Sequence, residues 1–291
     1  MARTTSPQGH PSSMASQRTV FAALVAVWAV VVGALWCRRL TRAGPARAGA
    51  TRCAPALATV LSDAVGDNFT ARILDLAERA ARERPSAVAT RNFGLESTGE
   101  GGHRVTHLKQ TALAQPAFLR ELWLLSRRAD AWGVTSADAR LPLRCMELIE
   151  YASAENHSLG FHHDGDTFLT VAVLLSTPGV DFDGGRLELA RTTRASPDVC
   201  TEAHAARALD VVAWRGWEWH RVAPVTRGVR RVLVMEWWAP AHAADEGRPG
   251  VERGADSAAG LREALARDPG SDLLRQAVQV RSQAESRSRS N

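Results

Sequence analysis

Lysine is almost missing from this chain: Lys109 stands alone among 36 basic residues in 291. That bias carries no function by itself. Acid is absent from residues 1–62, which hold seven arginines (Arg3, Arg18, Arg38, Arg39, Arg42, Arg47, Arg52), so the net charge of +5 belongs to the N-terminus. Residues 63–291 then hold 29 basic against 31 acidic side chains and are nearly neutral. A broad phosphate-binding face is not implied, and no nucleic-acid partner is expected. The four cysteines (37, 53, 145, 200) are too few for a disulfide framework in a chain this long. Neither a C-x-x-C pair nor zinc spacing of Cys and His occurs. Cys145 falls in an expected strand and Cys200 in an expected loop; free thiols are the default, with a Cys145–Cys200 bridge as the alternative. No long-period repeat is present. What remains, 45% hydrophobic and 23% charged residues, is ordinary for one or two domains with a buried core.

One long apolar run stands out. Val20 to Cys37 contains no charged residue, and as a helix it spans about 27 Å, enough for a thin bilayer. Arg38 and Arg39 follow where a signal cleavage site would have small residues. The run reads as an N-terminal transmembrane signal anchor (20–37) between a tail (1–19) and an Arg/Ala/Gly/Pro stem (38–54). A cleaved signal or transit segment is the rival, since 1–62 is free of acid and rich in Arg, Ser, Thr and Ala. A buried core helix fits less well, because the run is apolar on all faces. Two arginines precede the run and five follow it, which by charge favours a cytosolic C-terminal side. The sequons at Asn68 and Asn156 could be glycosylated only on the luminal side.

Beyond the stem, apolar residues recur at helical spacing through 55–90 (ALATVLSDAVG, then FTARILDLAERAARER before Pro85) and again through 116–132. From 143 the texture changes to short β-type runs broken by Gly, Asp and Pro. Helices first and strands after predict an α+β protein: a helical support region at 55–142 packed on one face of a jelly roll at 143–238. A polar tail, 239–291, ends the chain, with two short helical candidates at 259–267 and 271–283 and an Arg/Ser stretch over 281–290 that reads as disordered.

The segment Phe161-His162-His163-Asp164-Gly165-Asp166 carries the chemistry. On an extended strand, residues i and i+2 share a face. His162 and Asp164 then converge while His163 turns away. Alone, a His-x-Asp motif is weak. His220, in WEWHRVAPVTRGVR on another expected strand, supplies a third ligand candidate. Two His and one carboxylate with open positions suit non-haem Fe(II) and O2. Alternation in VRRVLVMEWW places Arg230, Val232, Val234 and Glu236 on one face and Arg231, Leu233, Met235 and Trp237 on the other. An arginine aimed into an apolar barrel needs an anion, which a small carboxylate would supply. Tyr151, the only tyrosine, could donate its hydroxyl to the same anion.

His162-x-Asp164, Thr170, Phe182-Asp-Gly184-Gly185-Arg-Leu187 and His220-Arg-Val-x-Pro224 through Gly228-x-Arg230 together resemble the Fe(II)/2-oxoglutarate dioxygenases of the prolyl 4-hydroxylase type. HHDGDTFLTVAVLL followed by DFDGG is similar to the C-terminal domain of the procollagen lysyl hydroxylases. The resemblance covers 143–238, and more faintly 55–142. It implies a double-stranded β-helix with His162, Asp164 and His220 on Fe(II). It implies Arg230 on the distal carboxylate of 2-oxoglutarate with Tyr151 and Thr170 nearby, L-ascorbate as reductant, and a protein or peptide substrate hydroxylated at Pro or Lys. It also implies a luminal catalytic domain in the endoplasmic reticulum or Golgi. Three departures stand out. Leu209 replaces a usual Gly, so that turn should differ; Leu174 is apolar where a polar residue often lines the pocket; and Glu236 stands where many members carry Trp.

The plainer readings are a buried hydrogen-bond cluster in an inactive jelly-roll binding module, an Arg230–Glu236 ion pair, and a membrane-tethered interaction protein acting through its tail. Gly184-Gly185 reads first as a turn requirement. Trp214, Trp217 and Trp219 read as core and rim packing. The loops expected at 153–160 and 192–206 hold no decodable substrate pattern.

Overall fold

The computed structural model describes residues 56–91, 102–135, 140–193, 196–204, 206–248 and 256–289. The apolar run 20–37 and the stem 38–54 lie outside the described residues. Among the described residues no helix is long and apolar enough to cross a membrane.

Strand β1 (Ala58–Leu61) and helix α1 (Phe69–Glu83) lead into β2 (Val88–Arg91) and β3 (His103–His107). A short helix α2 (Lys109–Leu113) and the longer α3 (Pro116–Ala129) follow. The strand-rich part holds β4 (Leu143–Ala152), β5 (Leu159–His162), β6 (Thr167–Leu174), β7 (Phe182–Gly184), β8 (Leu187–Thr193), β9 (Ser196–His204), β10 (Val211–Trp214), β11 (Trp219–Val222) and β12 (Val225–Trp238). A 3-10 turn at Pro240–Asp245 precedes α4 (Ala258–Arg267) and α5 (Asp272–Arg289).

These strands form two antiparallel sheets. The larger runs β1-β10-β6-β12-β4-β3-β2, with β7 also pairing with β12; the smaller runs β5-β11-β8-β9. β12 shows why the layers form. Leu233, Met235 and Trp237 alternate onto the helix side and are fully buried, while Val232 faces the smaller sheet and is buried as well. Both faces of this strand are therefore covered along its mostly apolar C-terminal half, Val232 to Trp238. The second core, between the sheets, gathers Ile149, Tyr151, Leu174, Leu189, Val212 and Val222.

The helices pack where their apolar spacing sends them. α1 buries Phe69, Ile73, Leu76, Ala77 and Ala80, one stripe at 3.6-residue period. α3 opens on Pro116, whose missing N–H costs nothing in a first turn. It presses Trp123 edge-on against Trp237, with ring centroids 4.9 Å apart, and the Trp237 Nε1–H donates to Ser126 Oγ at 2.8 Å.

Several expectations change. The helical spacing read into Ala58–Leu61 gives way to a strand, because the edge of β10 offers that segment four backbone partners, Ala58 opposite Trp214 through Leu61 opposite Val211. Likewise β2 and β3 lie within the expected helical region and extend the sheet from β4. The loop expected at 192–206 is largely β9, paired along β8, and Cys200 lies on that strand. The described part of the C-terminal tail holds two helices, the second running to Arg289, so the stretch expected to be disordered is helical over 281–289. Cys145 is a buried free thiol.

Leu209 departs from the expected altered turn. Its φ is +68°, the left-handed region that glycine occupies freely. The backbone therefore keeps a glycine-type turn with a leucine in it, at a cost of roughly 1–2 kcal/mol. Packing of the Leu209 side chain against the core offsets part of that strain.

Candidate metal and carboxylate site

His162 ends β5, and His220 lies directly opposite it on β11. Their rings stand 4.1 Å apart by centroid. Asp164 is not on the strand, as i/i+2 alternation supposed: β5 stops at His162, and a loop brings Asp164 back over the pair. The Asp164 N–H donates to the Gly216 carbonyl at 2.6 Å, which ties this loop to the one preceding β11. The Asp164 carboxylate oxygens then lie 3.7 Å from His162 Nε2 and 3.6 Å from His220 Nε2. One ligand atom from each of the three residues falls within 4.8 Å of the others, a spacing that a single cation could bridge.

The outer ring nitrogens set the tautomers. His162 Nδ1 donates to the Gly160 carbonyl at 2.8 Å, and His220 Nδ1 donates to the Glu218 carbonyl at 3.0 Å. Each Nε2 is thereby left as a lone pair aimed at the cluster, the form a metal needs. Burial pushes the His220 pKa down to about 4, which keeps the ring neutral. Burial pushes the Asp164 carboxyl upward, but His220, His162 and the Thr170 hydroxyl outweigh it and hold the group below its ordinary value. The side chain of His162 is 35% exposed against 6% for His220, so the cluster opens to solvent on the His162 side.

Arg230 points into a cavity of about 120 Å³ between the sheets, lined by Ala172, Leu174, Leu187, Val212 and Val232 among others. It is buried, and its Nη1 has no hydrogen-bond partner. Burial lowers its pKa. Tyr151 lies opposite it in register, with the guanidinium 5.4 Å from the ring centroid. Gly185 makes room for it, since a Cβ there would sit 2.8 Å from Arg230 Cδ. An unsatisfied cation in an apolar pocket is costly unless an anion arrives. A carboxylate is the group this cavity fits.

Not every expected role survives. Thr170 donates its hydroxyl to Asp164 Oδ2 at 2.6 Å, so it braces the carboxylate and does not line the anion pocket. Glu236 does not pair with Arg230. It accepts from Arg144 Nη1 at 2.7 Å, and Arg144 also donates to the Asp164 carbonyl at 2.9 Å. Burial raises the Glu236 carboxyl against the pull of Arg144. The sequence signal for Arg144 is slight: it is an arginine in a largely apolar strand, LRCMELIEYA. His163 turns away as expected, its ring edge-on to Trp219 at 5.1 Å. Trp214 and Trp217 are buried, as expected of core packing.

No family model matches the chain. It is similar to a PKHD-type hydroxylase of Xylella fastidiosa (strain 9a5c), with 28% identity over 174 residues, covering 54% of this chain and 72% of that protein. Solved structures that align with it include a 2OG-Fe(II) oxygenase family oxidoreductase from Burkholderia pseudomallei (16% identity, TM-score 0.46, 62% of this chain and 85% of that one). Another is a Pseudomonas putida prolyl-4-hydroxylase (12% identity, TM-score 0.42, 64% of this chain and 94% of that one).

Proposed function

We propose that the chain is an Fe(II)- and 2-oxoglutarate-dependent dioxygenase that hydroxylates a protein side chain, prolyl or lysyl, releasing succinate and CO2. The observation that carries the reading is the pairing of two features within one sandwich: a His-Asp-His cluster with both Nε2 lone pairs turned inward, and a buried arginine whose Nη1 has no hydrogen-bond partner among the described residues. The hydroxylase relative supports it. The two facing antiparallel sheets support the finer reading of the fold as a double-stranded β-helix.

His162, Asp164 and His220 would hold Fe(II), leaving open positions. The metal, with 2-oxoglutarate and O2, supplies the oxidising chemistry that no side chain can. The protein does the rest. Arg230 binds the distal carboxylate, and its fixed fork orients the co-substrate along the pocket. Leu174, Val212 and Val232 give that pocket an apolar lining. Thr170 and the Gly216 carbonyl fix Asp164 in direction, and the Gly160 and Glu218 carbonyls fix the two rings. The open His162 side is where a peptide would approach. L-ascorbate is the reductant expected to sustain turnover.

The test is succinate release by the purified chain with Fe(II), 2-oxoglutarate and ascorbate, over a panel of Pro- and Lys-containing peptides. Native protein should couple succinate to a gain of one oxygen in a peptide. His162→Ala and Asp164→Ala should lose both. Equal rates in native and variant chains would refute the mechanism.

Residues 20–37 are proposed as a membrane anchor, on their uncharged apolar composition, with the catalytic domain in the lumen of the endoplasmic reticulum or Golgi, on the resemblance to the hydroxylases and against the charge balance around the run. Asn68 and Asn156 are both exposed. Cleavage of two glycans by an endoglycosidase, together with retention in the membrane after an alkaline wash, is the expected result.

A further inference from the structure

The C-terminal helices were expected to be a polar appendage, yet α4 reaches both the loop that carries Asp164 and the turn that leads into the His220 strand. At its N-terminal end, Ser257 is the N-cap, and its Oγ accepts from the Gly260 N–H at 2.9 Å. The Ser257 N–H donates to Asp166 Oδ2 at 3.0 Å, and His242 Nε2 shares that same oxygen at 2.7 Å. Asp166 is two residues beyond Asp164. The approach is close enough to require glycine in the first turn: a Cβ on Gly260 would fall 2.3 Å from Asp166 Oδ2 and 3.0 Å from His242 Nε2. Asp256 lies against the same loop, where its Oδ1 accepts from the Asp166 N–H at 3.3 Å.

At the other end, the C-cap Asp268 accepts from Trp217 Nε1 at 3.0 Å and pairs with Arg215 Nη1 at 2.9 Å. Arg215 also binds Glu218, whose carbonyl orients His220. Between the two caps, Leu261 and Ala264 are buried in the same core as Phe168 and Trp217, and the Arg267 guanidinium lies 4.3 Å from the Phe168 ring centroid. A helix from residue 257 to 268 spans roughly 16 Å and does not stretch. Its two caps, together with the Asp164 N–H to Gly216 carbonyl bond, therefore limit how far the Asp164 loop and the turn before β11 can move apart.

We infer that α4 is a positioning strut of the metal centre, holding Asp164 through Asp166 and His220 through Trp217, Arg215 and Glu218. The inference rests on the metal site proposed above and adds that the C-terminal region is part of that site. Partners one shell removed from ligands commonly change metal affinity by about 10–100-fold.

The test is anaerobic titration of the full chain with Co(II), read by its visible absorption, alongside thermal unfolding without metal. Gly260→Ala wedges the N-terminal end, and Asp268→Ala frees the other. Both should raise the Co(II) Kd by about tenfold. Asp268→Asn, which still accepts from Trp217, should stay within about threefold of native. Leu76→Ala, in α1 and away from the strut, should lower the unfolding midpoint but leave the Kd of the folded protein native. Asp268→Ala and Gly260→Ala with native Kd would overturn the inference while leaving the metal site intact. So would a weakened Kd in Leu76→Ala that merely tracked stability. A native chain that binds no Co(II), or binds it equally after His162→Ala, would overturn the metal site itself and the strut with it.

Discussion

Arg230 makes a prediction with two opposite signs. In the chain without co-substrate it is a buried cation with an unpartnered Nη1 among apolar side chains. Replacing it by Met keeps most of the volume and removes the charge. Replacing buried ionic groups by hydrophobic ones of similar size is often neutral or stabilising by about 1–4 kcal/mol. For a domain of this size each kcal/mol raises the midpoint by about 2–4 °C. Arg230→Met should therefore unfold at or above the native temperature. Binding goes the other way. Removing one partner of a buried, hydrogen-bonded charge pair costs about 2–5 kcal/mol, or roughly 30-fold to 4000-fold in the 2-oxoglutarate Kd at 1.4 kcal/mol per decade. The assay is thermal unfolding under nitrogen with Mn(II), with and without 2-oxoglutarate. At a hundred times its Kd the dicarboxylate should add about 2.7 kcal/mol to the native protein and no more than about 0.9 kcal/mol to the variant. Adding ligand then shifts the stability difference by about 2–3 kcal/mol in favour of the native protein. A variant that is less stable alone and yet keeps the native ligand shift would refute the assignment of Arg230 to the carboxylate.

Other outcomes follow from the same geometry. Thr170→Val removes the hydroxyl that braces Asp164 at 2.6 Å and should weaken Mn(II) affinity about tenfold, measured by electron paramagnetic resonance. Trp237→Ala, which empties a fully buried site against Trp123, should cost about 3–5 kcal/mol in denaturant unfolding. The metal-free protein should lose stability as pH falls from about 6.5 toward 4. Burial holds His220 neutral down to about 4 in the folded chain, while the unfolded imidazole takes its proton near 6.5, so the unfolded state binds more protons across that window. Unfolding midpoints measured across that range check the slope, and His220→Asn should flatten it.

The residues of the His-Asp-His cluster, the buried arginine and most of the strands were legible along the chain because each leaves a local mark. His162, Asp164 and His220 sit in short motifs, and Arg230 interrupts a two-residue alternation that needs no partner to be seen. The long helices at Phe69–Glu83 and Pro116–Ala129 were legible for the same reason, since one apolar stripe states the period. Tertiary structure decided what depends on a distant edge or a distant cap. Ala58–Leu61 is a strand because β10 offers it hydrogen bonds, a fact no window of its own sequence contains. Thr170 braces Asp164, and Glu236 meets Arg144, through folding of separate segments onto one another. The joining of α4 to the metal loops spans 91 residues between Ser257 and Asp166. Local periodicity carries information over one or two turns of chain; contacts across that distance exist only once the core has closed.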